Sequence, residues 1–548
     1  MADNQLRVGE AIIDLLAREY GVDVVFGIPG VHNIELYRGL HRSGVRAVSP
    51  RHEQGAGFMA DGWSIITGRP GVCVLISGPG VTNALTPIAQ AYHDSRPMLV
   101  LASTTPTDAL GKSFGPLHDL PDQAKIAESV CAFSETVTDP SQLPALIERA
   151  FNVFTSSRPR PVHIAIPMDV LAQTCEPFAR KKLAAAKPTA SPSEILRAAE
   201  IINSAQNPVV IAGGGCVNAG SELAALAQAL DAPVLLTGNA KGVMSSSHEL
   251  CAGNCLVFGR VQRDVESADV VVVVGTELSD TDLYNGGRAL NFTGKVIRVD
   301  IDPAQIIRRT SPTVSLVGDA ANTMRELTTK ITKRKSQNGQ TRAKTWREHA
   351  RAKTNVKFQP WLQAIEDTLP PDAIVALDST QLAYSAHWWL PATQPRSWLA
   401  PYGFGTLGCA LPMAIGASIA APTRPVLAIA GDGGWLFTVA EMAAAKDLNS
   451  KIVLLLWDNR GYEQIRESFD DVAAPQMGVD VSSHDPVAIA KGFGWAVDGV
   501  KFSWQQLRQP DKALLHPTVP YLLLGKSGIL LINSNSLFLK RKCLLFQQ

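Results

Sequence analysis

The stretch GDGGWLFTVAEMAAAKDLNSKIVLLLWDNRGY, residues 431–462, decides the fold, because it contains most of a strand–helix–strand unit. The preceding VLAIA predicts a short strand at 426–430. Residues 438–448 predict a helix, since they include many strong helix formers and neither Gly nor Pro. IVLLLW predicts the next strand, ending at Asp458. A right-handed crossover makes the two strands parallel, so their carboxyl ends meet at one edge of a sheet.

Two polar residues, Asp432 and Asn459, follow these two strands and are 27 positions apart. A carboxylate, an amide oxygen and a backbone carbonyl are a donor set suited to Mg²⁺ or Ca²⁺. Gly431, Gly433 and Gly434 would let the backbone approach an anion such as a diphosphate closely. Either segment alone is explained as well by a plain tight turn. Together, at a strand–helix–strand spacing, they favour a metal–diphosphate site.

The same alternation of apolar strand-like runs and helical patterns occurs three times along the chain, which predicts parallel sheets with crossover helices. Two polar segments, at 176–193 and 333–344, are predicted to be linkers. The fold class is therefore α/β, with three doubly wound parallel-sheet domains. The predicted divisions are 1–175, 190–332 and 355–525, followed by an atypical apolar and basic tail at 526–548.

Composition narrows the class of protein. Of 548 residues, 46% are hydrophobic and 18% are charged, as in a soluble globular protein. The net charge of +1 gives no support to nucleic acid or an anionic membrane as a partner. The amino terminus has no signal-peptide pattern, no apolar run reaches the length of a membrane span, and eight scattered cysteines suggest free thiols. We expect a cytoplasmic protein.

The GDG segment, followed by Asn459 and NRGY, resembles the motif of thiamine-diphosphate enzymes, and the resemblance extends to about residue 500. It is strongest to the branch of acetolactate synthases and 2-oxo acid decarboxylases. The resemblance implies a pyrimidine-binding, a central and a diphosphate-binding domain, in that order. It also implies thiamine diphosphate and Mg²⁺ as cofactors, with the metal held by Asp432, Asn459 and the carbonyl of Gly461, and with Tyr462 beside the cofactor. One departure is Asp458, where members usually have Asn.

The segment RHEQGAGFMADGW, residues 51–63, resembles the glutamate segment of this family, which makes Glu53 the candidate catalytic residue. In the family this carboxyl group shares a proton with the aminopyrimidine, which helps to generate the reactive thiazolium carbon. We expect an apolar pocket that raises its pKa. The alternative is an acidic residue stabilised by a helix amino terminus. Gly30 and Asn83, the latter in the predicted turn SGPGVTN, are further expected cofactor contacts.

PYGFGTLGCALPMAIGA, residues 401–417, resembles the family segment that bends the cofactor. Leu407 stands where a bulky apolar side chain separates the two rings, and the carbonyl of Gly405 is expected to accept a hydrogen bond from the 4′-amino group. The alternative is that Leu407 is an ordinary core residue. Because the family builds each site from two subunits, a homodimer or homotetramer with active sites at the subunit interface is implied.

The central block contains GGGCVNAG, residues 213–220, after a predicted strand. Synthases of this branch bind FAD in this domain, but such a turn by itself does not specify a dinucleotide. The segment TELSDTDLYNGG lacks the flavin-binding pattern expected by resemblance. The prediction therefore favours a protein without FAD.

Substrate choice depends on GIPGVHNIELYRGL and PLHDLPDQ, which most resemble 5-guanidino-2-oxopentanoate decarboxylases. Candidate substrate contacts are Val31, His32, His118, Glu463 and Gln464. The last two begin the acidic segment EQIRESFDD, and carboxylates there would suit a guanidinium group. The alternative is a solvated helix face.

The predicted function is thus thiamine-diphosphate- and Mg²⁺-dependent, non-oxidative decarboxylation of a small-molecule 2-oxo acid. One alternative is an acetolactate synthase-type carboligase, which joins the decarboxylated fragment to a second acceptor. A second is a non-catalytic thiamine-diphosphate-binding relative.

Overall fold

The computed structural model describes residues 5–179, 185–332, 338–480, 484–498, 521–523 and 529–530. Three sheets, built almost entirely of parallel strands, follow one another along the chain, and helices cover both faces of each. The α/β prediction of three doubly wound domains is confirmed. The exact domain divisions stay predictions.

The amino-terminal sheet has six parallel strands. A short antiparallel pair, Leu6–Arg7 with Thr174–Cys175, joins the two ends of this part of the chain. In spatial order the six strands are Arg46–Val48, Val24–Phe26, Gly71–Leu75, Met98–Thr104, Val162–Pro167 and Phe133–Thr136.

The central sheet also has six parallel strands. Its middle strand, Val270–Val274, consists of five buried valines, as expected for a parallel strand covered on both faces. In spatial order the strands are Cys251–Gly253, Val234–Leu236, Pro208–Ala212, Val270–Val274, Lys295–Asp300 and Val314–Val317.

The carboxy-terminal sheet contains the unit quoted at the outset. Val426–Gly431 lies parallel to Ile452–Trp457, with Gly431 opposite Trp457. The short strand Ile529–Leu530 lies antiparallel to Ile452–Trp457. The remaining path of the sheet, in spatial order, is Trp398–Leu399, Ile374–Leu377, Val426–Gly431, Ile452–Trp457, Tyr521–Leu523 and Ala496–Asp498.

The α-helices are distributed among the three sheets. Around the amino-terminal sheet they are Val8–Tyr20, Ile34–Ser43, Glu53–Thr67, Pro79–His93, Gln123–Glu128, Leu143–Ser156 and Met168–Leu171. The next are Pro192–Ser204, Gly220–Leu230, Gly259–Glu266, Asp280–Leu283, Pro303–Ile306, Ala320–Thr329 and Gly339–Lys353. The last are Gln359–Thr368, Gln381–Trp389, Ala410–Ala420, Asp432–Leu436, Glu441–Asp447, Glu463–Asp471 and Pro486–Gly492.

Helices of the first and third parts of the chain pack directly on each other. Glu53–Thr67 crosses Ala410–Ala420 so closely that a Cβ on Gly62 would lie 2.2 Å from the carbonyl oxygen of Met413. On the opposite side, a Cβ on Gly416 would lie 2.0 Å from the carbonyl oxygen of Met59. The two glycines therefore permit backbone contact, and a single hydrophobic core spans both parts.

The helix predicted at 438–448 is present but shorter, at Glu441–Asp447, and a separate short helix, Asp432–Leu436, precedes it. Two other local predictions were wrong. The linker predicted at 333–344 contains the start of the helix Gly339–Lys353, whose Trp346 is buried. In SGPGVTN only Ser77 and Gly78 form a turn, and the helix Pro79–His93 begins directly after them.

The predicted tail at 526–548 lies outside the described residues, apart from 529–530. Within the described part of the chain, no helix combines the length and apolar character that a membrane crossing requires. Seven cysteines in this part are free thiols.

Candidate active site

The carboxyl edge of the third sheet brings the predicted metal ligands together. Asp432 is only 2% exposed, and its Oδ2 accepts a hydrogen bond from the Gly461 backbone N–H at 2.9 Å. One terminal amide atom of Asn459 lies 2.7 Å from the Gly461 carbonyl oxygen and 3.1 Å from Asp432 Oδ1. Without a cation, the amide nitrogen in that place would satisfy both acceptors. With the amide reversed, three oxygens converge on one point.

The electrostatics of this edge also suit a cation. Burial raises the pKa of Asp432, and the negative charge of nearby Asp458 raises it further. A carboxylate that is costly to bury alone is stabilised by a bound positive charge. The donor set therefore fits a small oxygen-seeking metal ion.

Glycines leave space for a ligand along this edge of the third sheet. A Cβ on Gly433 would lie 2.5 Å from the Tyr462 ring, and one on Gly434 would lie 3.1 Å from Asp378 Oδ2. Tyr462 is held beside Gly433 by its backbone N–H, which donates to the Val479 carbonyl at 2.9 Å. The predicted diphosphate contacts thus share a narrow backbone surface with no side chains of their own.

The predicted bending segment forms a loop next to this edge. Gly405 is exposed with a φ of +69°, and Leu407 is half-buried. The Gly408 N–H donates to Asp378 Oδ2 at 2.9 Å. Burial raises the pKa of Asp378 to about 7. Sequence reasoning missed this carboxyl group, although its place directly after the strand Ile374–Leu377 was a signal for it.

A buried polar cluster anchors the same loop to the rest of the molecule. Arg96 binds Asp61 at 2.7 Å and Asp94 at 3.3 Å, and all three side chains are at least nine-tenths buried. Asp94 accepts from the Gly403 N–H at 2.8 Å and from Asn239 of the central part at 2.8 Å. Residues from all three parts of the chain therefore fix where the loop begins.

At the carboxyl edge of the first sheet, Glu53 is the first residue of the helix Glu53–Thr67 and is half-buried in the single chain. Its Oε2 accepts a hydrogen bond from Asn83 Nδ2 at 3.0 Å. The Gly30 N–H donates to Asn33 Oδ1 at 2.8 Å, and a Cβ on Gly30 would lie 2.1 Å from the Ile76 side chain. Two of the predicted cofactor contacts, Glu53 and Asn83, thus touch each other.

Two of the candidate substrate residues meet at this edge as well. His32 Nδ1 lies 2.5 Å from Ser77 Oγ, and its ring is 5.3 Å from the ring of His118 in an edge-on arrangement. Burial lowers the pKa of His32, and the neighbouring His118 lowers it further. His118 Nδ1 is buried without a hydrogen-bond partner in the described structure. Val31, in contrast, is 60% exposed.

The carboxylates at the start of the acidic helix Glu463–Asp471 are less available for binding a substrate than the sequence suggested. The Glu463 carboxylate binds Arg466 at 2.6 Å, and Arg466 also binds Asp480 at 2.6 Å. Gln464 Nε2 donates to Glu467 at 3.3 Å. Glu463 is therefore paired within its own helix, with an arginine that it shares with Asp480.

The residues form two separate groups within one chain. Glu53, Asn83, His32 and His118 lie on the first part, and Asp432 lies with its partners on the third. In the described residues, no hydrogen bond joins Glu53 to Asp432.

A cleft lined by all three parts of the chain has a volume of about 490 Å³ and includes Gly214, Gly215 and Thr276 in its lining. Arg158 crosses it and forms ion pairs with Glu277 and Asp302. The expectation of a protein without FAD stays a prediction.

With this geometry established, comparison with known proteins gives three family matches. Residues 6–126 match "Thiamine pyrophosphate enzyme, N-terminal TPP binding domain". Residues 195–327 match the central domain of the same family, and residues 378–523 match its C-terminal TPP binding domain. The matches follow the order of the three sheets.

Individual relatives fall into two groups. A probable 2-ketoarginine decarboxylase of Pseudomonas aeruginosa is 44% identical over 500 residues, which cover 90% of this chain and 89% of the relative. A probable acetolactate synthase large subunit of Methanocaldococcus jannaschii is 30% identical, with 94% of this chain and 91% of the relative covered. Acetolactate synthase isozyme 1 large subunit of Escherichia coli is 31% identical, with 88% of each covered.

Proposed function

Because this chain belongs to the thiamine pyrophosphate enzymes, we propose that it decarboxylates 5-guanidino-2-oxopentanoate, also called 2-ketoarginine, with thiamine diphosphate and Mg²⁺. The proposed substrate rests on the 44% identity, over 90% of the chain, to a probable 2-ketoarginine decarboxylase. The matches establish that the chain belongs to this family. The metal, the substrate and the residue roles are proposals.

The proposed metal ligands are Asp432 Oδ1, the amide oxygen of Asn459 and the carbonyl oxygen of Gly461. Their support is the convergence described above, with distances of 2.7 and 3.1 Å from the Asn459 amide atom. The backbone of Gly433 and Gly434 would face the diphosphate, because any side chain there would collide with its neighbours.

When bound, thiamine diphosphate supplies an acidic carbon that adds to the 2-oxo group and an electron sink for the pair released with CO₂. The role of Glu53 is to hold and return a proton at a ring nitrogen. Asn83, at 3.0 Å, would orient this carboxyl group. Leu407 and Gly405 would fix the angle between the two rings of the cofactor.

We place each active site between two subunits, so that Glu53 of one chain faces Asp432 of another. Exposed apolar side chains lie near both edges of the single chain, as expected of surfaces that are buried on assembly. They are Val31, Phe114 and Leu117 of the first part and Phe404, Phe437, Ile465, Val472 and Met477 of the third. A homodimer or homotetramer is the corresponding assembly.

For the substrate, His32 and His118 would contact the reacting carboxylate and carbonyl end. A pair of imidazoles 5.3 Å apart, one of them with a free buried nitrogen, can donate and accept protons next to the carbon that loses CO₂. Val31 would line the same end. Glu463 and Gln464 would meet the distal guanidinium, which must displace or share the contact between Glu463 and Arg466.

Acetolactate synthase activity is the second candidate, supported by relatives that are about 30% identical along most of the chain. A non-catalytic role is the least favoured, because Glu53, Asp432 and Asn459 are all retained. The cytoplasmic location stays an expectation.

The experiment is to measure CO₂ release by the purified protein with thiamine diphosphate and Mg²⁺. Pyruvate, benzoylformate, a branched 2-oxo acid and 5-guanidino-2-oxopentanoate are offered in parallel. Preference for the guanidino acid, abolished in Glu53→Gln and retained in the surface control Glu128→Gln, is the expected result. Acetolactate from pyruvate would replace the proposal by the synthase function. Cofactor binding without CO₂ release from any substrate would favour the non-catalytic alternative.

A further inference from the structure

Glu441, which sequence reasoning missed, is a buried carboxyl group that points out of its own part of the chain. It is the first residue of the helix Glu441–Asp447 and is 1% exposed. Its two carboxyl oxygens accept hydrogen bonds from the Arg51 N–H at 3.0 and 3.1 Å. Oε1 also accepts from the His52 N–H at 3.1 Å. All these donors belong to the first part of the chain.

These two N–H groups lie immediately before Glu53. Backbone donors at the start of a helix have no partner within the helix and are costly to bury unpaired. The local cap covers a different donor, since His52 Nδ1 accepts from the Gln54 N–H at 3.2 Å. The backbone just before Glu53 is therefore held by the carboxyl group of Glu441, which lies more than 380 residues later in the sequence.

The fit of this contact depends on two neighbours. A Cβ on Gly55 would lie 2.2 Å from Glu441 Oε1, so only glycine leaves room for the carboxyl group. The Arg51 side chain forms an ion pair with Asp447, the last residue of the same helix. Backbone and side-chain contacts thus attach the segment just before Glu53 to this helix at both of its ends.

The same helix is closely connected to the proposed metal and cofactor groups. Asp432 begins the preceding helix, and the Glu441 N–H donates to the Thr438 carbonyl at 2.9 Å. The Thr438 hydroxyl donates to the Gly408 carbonyl at 2.7 Å, one residue after Leu407. Residues 432–441 therefore connect the proposed metal site, the loop that contains Leu407 and the backbone just before Glu53.

We propose that Glu441 is a positioning residue for Glu53. This inference rests on the proposed function, in which Glu53 is the carboxyl group that exchanges a proton. By holding the Arg51 and His52 N–H groups, Glu441 would fix where the helix Glu53–Thr67 begins and so where the Glu53 carboxyl group lies.

The test compares wild type with Glu441→Ala, Glu441→Gln and the exposed control Glu348→Ala. Hydrogen exchange at the Arg51 and His52 amides is measured in the apoprotein and with thiamine diphosphate and Mg²⁺. Exchange is expected to be about tenfold faster in Glu441→Ala, since hydrogen bonds to the carboxylate are lost. Glu441→Gln retains an acceptor oxygen and is expected to restore most of the protection.

Cofactor titration by calorimetry and steady-state kinetics complete the test. For Glu441→Ala, kcat is expected to fall by up to about 100-fold with KM for the 2-oxo acid little changed, because misplacement of Glu53 affects turnover. Unchanged exchange at Arg51 and His52 in Glu441→Ala would overturn the positioning role.

The same data separate this inference from the proposed function. If wild type fails to bind thiamine diphosphate, the proposed function fails, while exchange in the apoprotein still tests the contact. If Glu441→Ala does not fold, Glu441→Gln against wild type supplies the comparison. A small, parallel loss of amide protection and of kcat in Glu441→Gln supports the proposal, and a loss of protection with kcat unchanged overturns it.

Discussion

The candidate site consists of the carboxyl edges of the first and third sheets, and these two edges differ in how they surround their carboxyl groups. At the first, Glu53 is half-buried and its carboxyl group has one side-chain partner, Asn83. At the other, Asp432 is 2% exposed and is surrounded by backbone groups and the Asn459 amide. A carboxyl group with few partners can exchange a proton, whereas one enclosed by oxygens and N–H groups is suited to holding a cation. The difference teaches that environment, more than residue type, separates the two carboxyl roles.

The largest expected effect is on turnover at the first edge. Glu53→Gln keeps the shape of the side chain but cannot exchange a proton, so kcat is expected to fall by about 10²–10⁴-fold. Affinity for thiamine diphosphate, measured by calorimetry, should change little. A collapse of cofactor affinity in this variant, with Glu128→Gln normal, would remove the functional distinction between the two edges.

The next effect is on binding at the other edge. Asp432→Ala removes a proposed metal ligand and the acceptor for the Gly461 N–H. The affinity for thiamine diphosphate in the presence of Mg²⁺ is expected to fall on the order of 100-fold. Calorimetric titration with and without Mg²⁺ measures this. If the variant still binds the cofactor in a Mg²⁺-dependent way with wild-type affinity, the metal assignment is wrong.

A third variant tests how tightly the carboxy-terminal edge is packed. Gly408 has a φ of +82°, and a Cβ there would lie 2.6 Å from the Phe437 Cβ. Gly408→Ala therefore combines backbone strain with a collision, and a destabilisation of about 2–4 kcal/mol is expected. Gly44→Ala is the matched control, since its φ is +71° with nothing within 4 Å, and about 1 kcal/mol is expected there. Equal melting temperatures for the two variants would argue against close packing at Gly408.

The smallest expected effect is a pH dependence of stability, which has opposite signs in the first and third parts of the chain. Burial lowers the pKa of His163, in the strand Val162–Pro167, to about 4. Its contribution to stability is complete above pH 6.5 and is lost as the pH falls toward 4. Asp378 has its pKa raised from 3.8 to about 7, so its contribution is complete below 3.8 and is lost as the pH rises toward 7.

Going from pH 7 to pH 5 should therefore weaken the first sheet by about 2 kcal/mol and strengthen the surroundings of Asp378 by a similar amount. Hydrogen-exchange protection factors, corrected for the intrinsic rate, give the two changes separately. His163→Gln should abolish only the first of them. A change of the same sign in both parts would contradict the assigned pKa directions.

Much of the fold could be predicted because its central strands are fully apolar. The runs at Val270–Val274 and Ile452–Trp457 are recognisable without any neighbour. The strands that were not predicted include Phe133–Thr136, Cys251–Gly253 and Val314–Val317, which lie at sheet edges. Short edge strands with mixed polarity form because a neighbouring strand pairs with them, and their own residues carry little of that information.

For the candidate site, spacing alone placed Asp432 beside Asn459, because a parallel strand–helix–strand unit has one geometry. The pairing of His32 with His118 could not be predicted in this way. These residues follow different strands, and their contact depends on the φ of +63° at His118 and on its backbone packing against Gly78. Whether the two histidines touch substrate is a proposal.

The sequence by itself determined the α/β class, the order of the three sheets and the chemical groups at their carboxyl edges. The periodicity of apolar residues and the positions of loops are local properties, so they can be recognised without knowledge of any distant contact. Only the tertiary structure decided that Glu441 holds the N–H groups before Glu53, that Arg466 pairs with Glu463, and that Asp378 lies beneath Gly434. Those contacts join residues of different elements, and packing selects them through shape and burial that no single segment contains.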